Sequence, residues 1–499
     1  MNRKVVIRAD ASARMGTGHI MRCLALAQAL QADRGQPVFA VAISTPAIEK
    51  RLTSEGMQVI PLKVRPGSPE DSRETAALTR RLKARWVVVD GYHFQDEYQR
   101  ILKQSQLRLL WIDDLASTRH YYADFVLNQN ISADERWYRN REPYTQLLLG
   151  TRYTLLRREF WLWRGRQRAV PPTARRLLVT LGGSDPDNVT LKVLRALGHL
   201  NIEALEVTVV VGGSNPHYNS LKAAASSLRF PVNWQWNASN MPELMAKADM
   251  AIAAGGSTCW ELAFMGLPSI LLILADNQRA MATGLAAAGC AVNLGWHEEV
   301  TETEIATTVA RLSRSRSDRS RMMGVGQQLV DGKGAHTVVR HLEASSIQLR
   351  PVREDDCDIL WQWANDPLVR AVSFCSEPIP RTDHVRWLAT KLSDRNCIFY
   401  LVLDANSVPI GQIRYEMTGD RHATISASIA APFRGRGYGR QAICLGCQTL
   451  FQASAVEAID AYIKPSNLAS IQVFLKSGFE NRGETIVRSQ PALHLVKKL

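Results

Sequence analysis

The sequence predicts an α/β protein in which two doubly wound, Rossmann-like domains precede a smaller α+β domain. Short apolar strands alternate with helical stretches up to about residue 168, and the same alternation restarts after a proline-bearing linker at 167–175. Longer, antiparallel-looking strands follow from about residue 347. Apolar strands that alternate with helices form parallel sheets covered on both faces. At roughly 150 residues per domain, the 499-residue chain has room for three domains.

The composition is that of ordinary globular domains, with 46% hydrophobic and 22% charged residues. It excludes a mostly disordered chain, a collagen-like repeat and a small disulfide-rich protein. The longest apolar runs, such as 270–275, are far shorter than the ~20 residues that a membrane span needs. The N-terminus is too short and polar for a signal peptide and leads straight into a strand. We therefore expect a cytoplasmic protein without a membrane partner.

The chain carries 61 Lys and Arg against 47 Asp and Glu, a net charge of +14. Such a charge favours anionic ligands without identifying them. The basic and aromatic stretch at 157–168, RREFWLWRGRQR, is typical of nucleic-acid binding. The phosphates of a nucleotide sugar or a coenzyme are the other class of ligand that fits the charge.

The eight cysteines are scattered along the chain, and Cys444 and Cys447 form the one CxxC pair. No second pair and no neighbouring histidines complete a zinc site there. The pair also falls in an apolar helical pattern, which favours buried small side chains over redox or metal chemistry. No metal site is expected.

The first domain, predicted over residues 1–168, opens with a strand at 5–10, a glycine-bearing loop and a helix at 20–30. Glycines in such a loop let the backbone turn tightly and approach a ligand, and the free N–H groups of the helix start attract anions. His19 lies beside this positive helix end, which favours the neutral imidazole that accepts a proton. His19 is therefore a candidate catalytic base, with helix capping as the alternative. Further strands are predicted at 38–43, 86–90 and 109–113.

The second domain, predicted over 169–343, repeats the pattern of a strand followed by a glycine loop. Its strands are predicted at 176–180, 207–211, 250–253 and 269–274. The loop after the third strand, GGST at 255–258, precedes a helix whose start could hold a diphosphate. Glu261 either caps this helix with Thr258 or binds ribose hydroxyls, and both interpretations stay open. Asp185 and Asp187 match the D-x-D of metal-dependent sugar transferases, but their loop favours a turn and a helix start.

The third domain is predicted over 347–499, with strands at 399–403, 410–415 and 424–429. The sequence FRGRGYGR at 433–440 lies between the last of these strands and a helix. Backbone N–H groups of an R-x-x-G-x-G loop surround a pyrophosphate, and arginines add charge-assisted hydrogen bonds. An RNA-binding or flexible patch is the alternative, and the strand–loop–helix context favours the phosphate cradle.

A series of motifs in residues 1–342 resembles the PseG family, and the motifs occur in that family's order. The family hydrolyses UDP-2,4-diacetamido-2,4,6-trideoxy-β-L-altropyranose in the bacterial pathway to pseudaminic acid. The resemblance implies a GT-B fold, like that of the glycosyltransferase MurG. The matching strings are RADASARMGTGHIMRCLALA, VVVDGYHF, WIDDLA, LLLGTRYTLLRREF, LLVTLGGSDPDN, NMPELMAKADMAIAAGGSTCWELAFMGLPSI and ADNQ.

The resemblance implies that His19 is the general base. It would activate a water that attacks the anomeric carbon, so that UDP leaves with inversion of configuration and without a metal. Glu261 would bind the uridine ribose and Gly256, Ser257 and Thr258 the phosphates, with Asn277 and Gln278 at the sugar or phosphate. The resemblance brings four further residues to the same cleft without a defined role: Asp10, Gly18, Asp90 and Tyr92. Asp10 could equally cap its strand.

The third domain resembles the GNAT acetyltransferases in LRPVREDD, in the phosphate cradle and in the stretch 467–479. WQWANDPLVR and DHVRWL are similar to the branch containing PseH, which N-acetylates a UDP-4-amino sugar. The resemblance implies acetyl-CoA as co-substrate, bound by Arg434, Gly435, Arg436, Gly437, Tyr438, Gly439 and Asn467. Phe474 stands where many GNAT enzymes have a tyrosine that protonates the departing thiolate. Phenylalanine cannot donate a proton, so either Tyr462 or water replaces it, or the domain is slow or inactive.

Together the two resemblances imply a bifunctional enzyme with UDP-sugar and acetyl-CoA as its ligands and no nucleic acid. It would acetylate the 4-amino group of the UDP-sugar precursor and then remove UDP. Two alternatives stay open: a GT-B glycosyltransferase with an accessory GNAT domain, and a nucleic-acid or protein-binding module. The sequence leaves the oligomeric state, the domain arrangement and the sugar stereochemistry undetermined.

Overall fold

The computed structural model describes residues 4–12, 15–213, 215–226, 228–344, 347–404, 407–419, 421–435 and 437–499. The chain divides into two compact units, residues 2–339 and 340–499. The first unit contains two parallel sheets, and the second contains one mixed sheet. The predicted fold class is borne out by the two parallel, doubly wound sheets and by the mixed α+β sheet that follows them.

The first sheet has seven parallel strands in the order β3-β2-β1-β4-β5-β6-β7. The strands are β1 (Lys4–Ala9), β2 (Gln36–Val41), β3 (Gln58–Pro61), β4 (Trp86–Asp90), β5 (Arg108–Ile112), β6 (Phe125–Asn128) and β7 (Gln146–Leu149). The helices are α1 (Gly18–Ala32), α2 (Pro46–Ser54), α3 (Pro69–Arg81), α4 (Asp96–Gln104) and α5 (Arg158–Trp161). The strand order reverses between β1 and β4. Ligands bind at the carboxyl ends of strands at such a reversal.

The second sheet has six parallel strands in the order β10-β9-β8-β11-β12-β13. The strands are β8 (Arg176–Thr180), β9 (Glu206–Val211), β10 (Val232–Trp236), β11 (Met250–Ala254), β12 (Ser269–Ile273) and β13 (Ala291–Trp296). The helices are α6 (Val189–Gly198), α7 (Tyr218–Ala225), α8 (Met241–Lys247), α9 (Thr258–Phe264), α10 (Arg279–Ala288), α11 (Glu302–Arg314), α12 (Arg316–Leu329) and α13 (Gly334–Ala344). Here the order reverses between β8 and β11, which again marks their carboxyl ends as a ligand site.

The central strands of both sheets are buried on both faces. Every residue of β4, β11 and β12 is buried, as expected for parallel strands covered by helices. The sequence analysis did not identify β6, or β3, β7, β10 and β13. Strand β6 is fully buried but only four residues long. The residues of the other four are mostly only half-buried or exposed, and their weaker apolar pattern explains why they were missed.

The second unit contains a seven-stranded sheet in the order β14-β15-β16-β17-β18-β20-β19. The strands are β14 (Gln348–Pro351), β15 (Cys397–Leu403), β16 (Pro409–Gly419), β17 (His422–Ile429), β18 (Ala458–Ile463), β19 (Glu480–Val487) and β20 (Gln490–Lys498). The helices are α14 (Cys357–Ala364), α15 (Pro367–Val372), α16 (Arg381–Ser393), α17 (Tyr438–Ala453) and α18 (Leu468–Lys476). All its described pairings are antiparallel except that of β17 with β18.

The parallel strands β17 and β18 separate along their length. They pair only from His422 with Ala458 to Thr424 with Asp460, although β17 continues to Ile429 and β18 to Ile463. The sheet therefore opens into a wedge toward the carboxyl ends of these two strands. Strand β17 leads from this wedge into the loop that precedes α17.

The structure contains neither a membrane-spanning helix nor a disulfide at the CxxC pair within its described residues. Throughout the described ranges, every helix is too short or too polar to cross a bilayer. Cys447 is buried and Cys444 is half-buried within α17, and neither forms a disulfide. This agrees with the interpretation of the CxxC pair as small packed side chains.

Candidate functional site

The centre of the candidate site is His19 in the first turn of α1. Its Nδ1 lies 2.7 Å from Oδ1 of Asp90, the last residue of β4. The His19 side chain is almost entirely buried, and Asp90 is fully buried. An ionised carboxylate accepts the Nδ1–H and leaves Nε2 as the ring nitrogen with a lone pair. Nε2 has no hydrogen-bond partner among the described residues.

Arg22, one turn after His19, holds Asp90 in its charged form. Its Nε donates to Oδ2 of Asp90 at 2.6 Å, and its Nη2 donates to Oδ1 at 2.6 Å. Burial alone would raise the pKa of Asp90, but the charge of Arg22, aided by His19, lowers it well below its usual value. Sequence reasoning missed Arg22. Its i+3 spacing from His19 on one helix face was the available signal.

A second carboxylate extends this network toward the second sheet. Asp114 accepts from Nη1 of Arg22 at 2.7 Å and from the hydroxyl of Tyr92 at 3.0 Å. The Tyr92 ring meets the His19 ring edge-on, with centroids 4.5 Å apart. Burial and the charge of Asp114 raise the pKa of Tyr92, so its hydroxyl stays protonated. Nδ2 of Asn277 donates to that hydroxyl at 2.9 Å and thereby joins the loop after β12 to the His19 network.

The glycine loops of the two sheets face each other. A Cβ on Gly18 would lie 3.8 Å from Oγ of Ser257, and a Cβ on Gly183 would lie 3.6 Å from Oγ1 of Thr17. The loop after β9 joins this group, because a Cβ on Gly212 would collide with the backbone of Gly183. The loops of Gly18, Gly183 and Ser257 follow β1, β8 and β11, which lie at the two order reversals, and the loop of Gly212 follows β9, the neighbour of β8. The structure thus assembles the cleft that the sequence predicts between the two domains.

The residues predicted to hold phosphate lie at the surface of this cleft. Gly256 and Thr258 are half-buried and Ser257 is exposed, and a Cβ on Gly256 would meet no atom within 4 Å. Oε1 of Gln278 accepts from the backbone N–H of Leu274 at 3.0 Å, which ties the loop of Asn277 to the end of β12. Open space above backbone amides is what a bound phosphate needs.

Asp10 has a structural role in the folded chain. Its Oδ1 accepts the backbone N–H groups of Ala42 and Ile43 at 2.8 and 2.9 Å, and Nη1 of Arg8 lies 2.7 Å away. Burial opposes ionisation, but hydrogen bonds from His93 and Arg8 lower the pKa of Asp10 well below its usual value. Because Ala42 and Ile43 directly follow β2, Asp10 caps the end of the neighbouring strand, which matches the strand-end alternative. A contact with substrate stays a prediction.

Glu261 makes an ion pair that sequence reasoning did not anticipate. Its Oε1 accepts from Nη2 of Arg157 at 2.7 Å and from Nε at 3.2 Å. Burial raises the pKa of Glu261, and Arg157 opposes that rise. Helix α9 begins at Thr258 without a side-chain cap, so the capping interpretation does not describe the structure. A role at the ribose stays a prediction.

The D-x-D sequence serves as a helix start, as expected. Oδ1 of Asp185 accepts the N–H of Val189 at 2.8 Å, and Oδ2 accepts the N–H and hydroxyl of Thr190 at 2.9 and 2.6 Å. Asp185 is buried, and its φ of 40° places it in the left-handed region. Among the described residues, no group of three His, Cys, Asp or Glu side chains could hold a metal ion.

In the second unit, the predicted phosphate loop lies between β17 and α17. Gly435 and Gly437 have φ values of 73° and 83°, which glycine adopts without strain. Nε of Arg434 donates to the carbonyl of Ile429 at 2.8 Å, and its Nη2 lies 3.2 Å from Oδ2 of Asp366. Tyr438 and Gly439 form the first turn of α17. Arg436 lies outside the described residues.

The remaining predicted GNAT residues lie at α18 and β18. Oδ1 of Asn467 accepts the N–H of Ser470 at 3.2 Å and thereby caps α18. Phe474 is buried, and its ring packs edge-on against Phe479 with centroids 5.0 Å apart. The Tyr462 ring stacks on His494 with centroids 4.9 Å apart.

Two family models match separate parts of the chain. Residues 177–333 match the glycosyltransferase family 28 C-terminal domain, and residues 346–480 match the acetyltransferase (GNAT) domain. The first match covers the second parallel sheet, and the second covers most of the mixed sheet. Both agree with the folds described above.

Three curated relatives extend the similarity to the whole chain. An uncharacterized protein of Methanocaldococcus jannaschii is 23% identical and covers 96% of both chains. The spore coat polysaccharide biosynthesis protein SpsG of Bacillus subtilis is 27% identical over 68% of this chain and 97% of its own. The UDP-2,4-diacetamido-2,4,6-trideoxy-β-L-altropyranose hydrolase of Campylobacter jejuni is 25% identical over 57% of this chain and 97% of its own. The resemblance to a PseG-type hydrolase fused to a GNAT domain is confirmed.

Proposed function

We propose that this chain, which joins a PseG-like GT-B region to a GNAT domain, is a bifunctional enzyme of pseudaminic acid biosynthesis. The C-terminal part transfers an acetyl group from acetyl-CoA to the 4-amino group of a UDP-sugar. The N-terminal part then hydrolyses the resulting UDP-2,4-diacetamido-2,4,6-trideoxy-β-L-altropyranose to UDP and free sugar. The proposal keeps the predicted division into 1–168, 169–343 and 347–499.

The observation that carries the hydrolase assignment is the His19–Asp90 pair. Asp90 fixes the imidazole with Nδ1 protonated, so Nε2 takes a proton from water. The water oxygen attacks the anomeric carbon, the bond from that carbon to the diphosphate oxygen breaks, and UDP leaves. Attack from the opposite side inverts the configuration. Arg22 acts through Asp90 and is a positioning residue.

The UDP moiety fits the second sheet's side of the cleft. Backbone amides of the loop at 255–258 bind the phosphates where Gly256 leaves open space. Asn277 approaches the His19 network through Tyr92, and in that position it contacts the sugar or the phosphate. Arg157 holds Glu261 through Oε1 alone. The other carboxylate oxygen, Oε2, is therefore the one that binds the ribose.

The acetyl-CoA assignment rests on the loop before α17 and on the wedge between β17 and β18. The positive φ values of Gly435 and Gly437 shape a backbone that can surround a pyrophosphate. Among the described residues, the backbone of β17 beyond Thr424 has no partner strand on the β18 side and can pair with an extended ligand instead. Acetyl-CoA has both of these features, a pyrophosphate and an extended amide-bearing arm.

A GT-B glycosyltransferase that passes the sugar to an acceptor is the second candidate, because residues 177–333 match a glycosyltransferase family model. One experiment tests both candidates. The purified chain is incubated with acetyl-CoA and the UDP-4-amino sugar, and NMR follows the acetyl and anomeric signals. We expect acetyl transfer followed by release of UDP and free sugar. UDP release that requires an added acceptor would support the glycosyltransferase. If the protein catalyses neither acetyl transfer nor UDP release, both candidates are contradicted.

A further inference from the structure

A group of titratable side chains in the second unit has no part in the function described so far. The carboxylate of Asp460 on β18 lies between two histidines. Its Oδ1 is 2.7 Å from Nε2 of His494 on β20, and its Oδ2 is 2.7 Å from Nδ1 of His422 on β17. Asp460 is buried, whereas the His494 and His422 side chains are 29% and 46% exposed. We refer to Asp460, His494 and His422 as the Asp460 cluster.

The Asp460 cluster lies on the sheet face opposite α17. Along β18, Ile459, Ala461 and Ile463 belong to the core that packs against α17, so Asp460 and Tyr462 point to the other face. His494 is directly opposite Tyr462 on β20 and shares that face. A ligand held by the loop before α17 enters the wedge from the α17 side. The opposite face is therefore where a second substrate can meet it.

His494 lies level with the open part of the wedge, on the strand next to β18, whereas His422 lies on β17 level with the paired part. The last pair between β17 and β18 joins Thr424 to Asp460. His494, opposite Tyr462, lies two residues beyond this point, in the direction in which the strands separate. His422 lies two residues before it, where the strands are still paired. The two histidines share one carboxylate but differ in their access to the wedge.

The hydrogen bond that His494 donates to Asp460 also determines which nitrogen of His494 is basic. With Nε2–H donated to the carboxylate, Nδ1 carries the lone pair. Nδ1 has no hydrogen-bond partner in the described part of the chain. The Tyr462 ring, inclined by only 14° to the imidazole, keeps the His494 ring in this orientation.

We propose that His494 is the general base of the acetyl transfer and that Asp460 positions it; this rests on the acetyltransferase function proposed above. Nδ1 of His494 removes one proton from the acceptor's ammonium group. The freed nitrogen lone pair attacks the thioester carbonyl carbon, a C–N bond forms and the C–S bond breaks. The second proton of that nitrogen passes to the departing thiolate, giving the amide and the CoA thiol. His494 returns its proton to solvent.

The test compares three variants of the full chain with acetyl-CoA and a UDP-sugar that bears a free 4-amino group. His494→Gln keeps an N–H donor for Asp460 but cannot accept a proton, so kcat for acetyl transfer falls by about 10²-fold or more. Asp460→Asn lowers kcat by about tenfold, since it only loosens the orientation of His494. His422→Gln is the matched control and keeps kcat within about threefold, because His422 acts only as a structural partner of the carboxylate.

Two further measurements separate a chemical role from a structural one. The dissociation constant for acetyl-CoA and the rate of UDP release from the diacetamido sugar stay unchanged in His494→Gln. In His494→Ala, added imidazole restores part of the lost kcat, which a folding defect would not allow. Wild-type kcat in His494→Gln, or an unrescued loss together with lost acetyl-CoA binding, overturns the proposal. If the wild-type chain itself transfers no acetyl group, the acetyltransferase function fails first, and this assignment fails with it.

Discussion

The hydroxyl of Tyr92 accepts a hydrogen bond from Nδ2 of Asn277 at 2.9 Å, although the two residues are 185 positions apart in the chain. Tyr92 follows β4 of the first sheet, and Asn277 follows β12 of the second. Through Asp114 and Arg22, the Tyr92 hydroxyl connects to Asp90 and therefore to His19. This bond joins the proposed UDP side of the cleft to the proposed base.

Because Tyr92 and Asn277 share a hydrogen bond, we expect substitutions of the two residues to have coupled effects on the rate of UDP release. Tyr92→Phe keeps the ring against His19 and removes the hydroxyl, and Asn277→Ala removes the donor. Each single change lowers kcat for UDP release by about fivefold, because a hydrogen bond contributes about 1 kcal/mol. The double variant loses less than the product of the two single losses, since both changes remove the bond that the two residues share. Rates measured for all four proteins in a double-mutant cycle check this. Independent, multiplicative losses would show that the bond does not act in the reaction.

Replacement of His19 tests the base directly. His19→Gln keeps a side chain that hydrogen-bonds to Asp90 but cannot take a proton from water. The rate of UDP release falls by about 10²–10⁴-fold, while UDP still binds. Rates come from NMR and UDP affinity from calorimetry. His120→Gln is the control, because His120 lies at the surface beside Glu142, and its rate stays that of the wild type. Full activity in His19→Gln would remove the general-base assignment.

Arg22 is expected to matter for stability as well as for rate. Its guanidinium is buried and bonds to Asp90 and Asp114. Arg22→Met leaves two carboxylates without their cation, and this lowers the free energy of unfolding by about 3–5 kcal/mol. Urea denaturation measures the change. Adding Asp90→Asn to the Arg22→Met variant restores part of the loss, because the added change removes one uncompensated charge. A double variant less stable than Arg22→Met would argue against this explanation.

The buried carboxylates predict how stability depends on pH. The pKa values of Asp90 and Asp10 lie below those of the unfolded chain, where aspartate has a pKa of about 3.9. Their ionised forms therefore stabilise the fold above that pH, and the contribution is lost as the pH falls below it. We expect the melting temperature to drop steeply on acidification below about pH 4.5. Asp90→Asn has a lower melting temperature at neutral pH and a shallower acid decline. Parallel curves for the two proteins would contradict the prediction.

The open space above Gly256 distinguishes ligand binding from folding. A Cβ at this position meets no protein atom within 4 Å, so Gly256→Ala leaves the melting temperature unchanged or slightly raised. The same methyl group intrudes where the UDP phosphates are proposed to lie, and UDP affinity falls by about tenfold or more. Gly324→Ala, in a similarly open position on α12, is the control and keeps the affinity. Unchanged UDP affinity in Gly256→Ala would indicate that the phosphates bind at another loop.

The sequence by itself determined the local features of this protein. Apolar strands followed by glycine turns identified most of the central strands, and the sequence at 433–440 was correctly placed after a strand, although its last three residues already belong to the helix. His19 was found because its neighbours Gly16 and Gly18 mark a turn before a helix. Each of these signals lies within a few residues along the chain, where backbone conformation depends on side-chain type and spacing.

Only the tertiary structure decided which side chains pair. The bonds of Arg22 to Asp90 and Asp114, of Arg157 to Glu261, and of His494 to Asp460 join residues from separate elements. The order of the strands in each sheet brings these partners together, and that order does not follow from local sequence. A buried charged side chain needs a partner, and the fold determines which residue that partner is. The roles of these residues can therefore be assigned only from the assembled sheets.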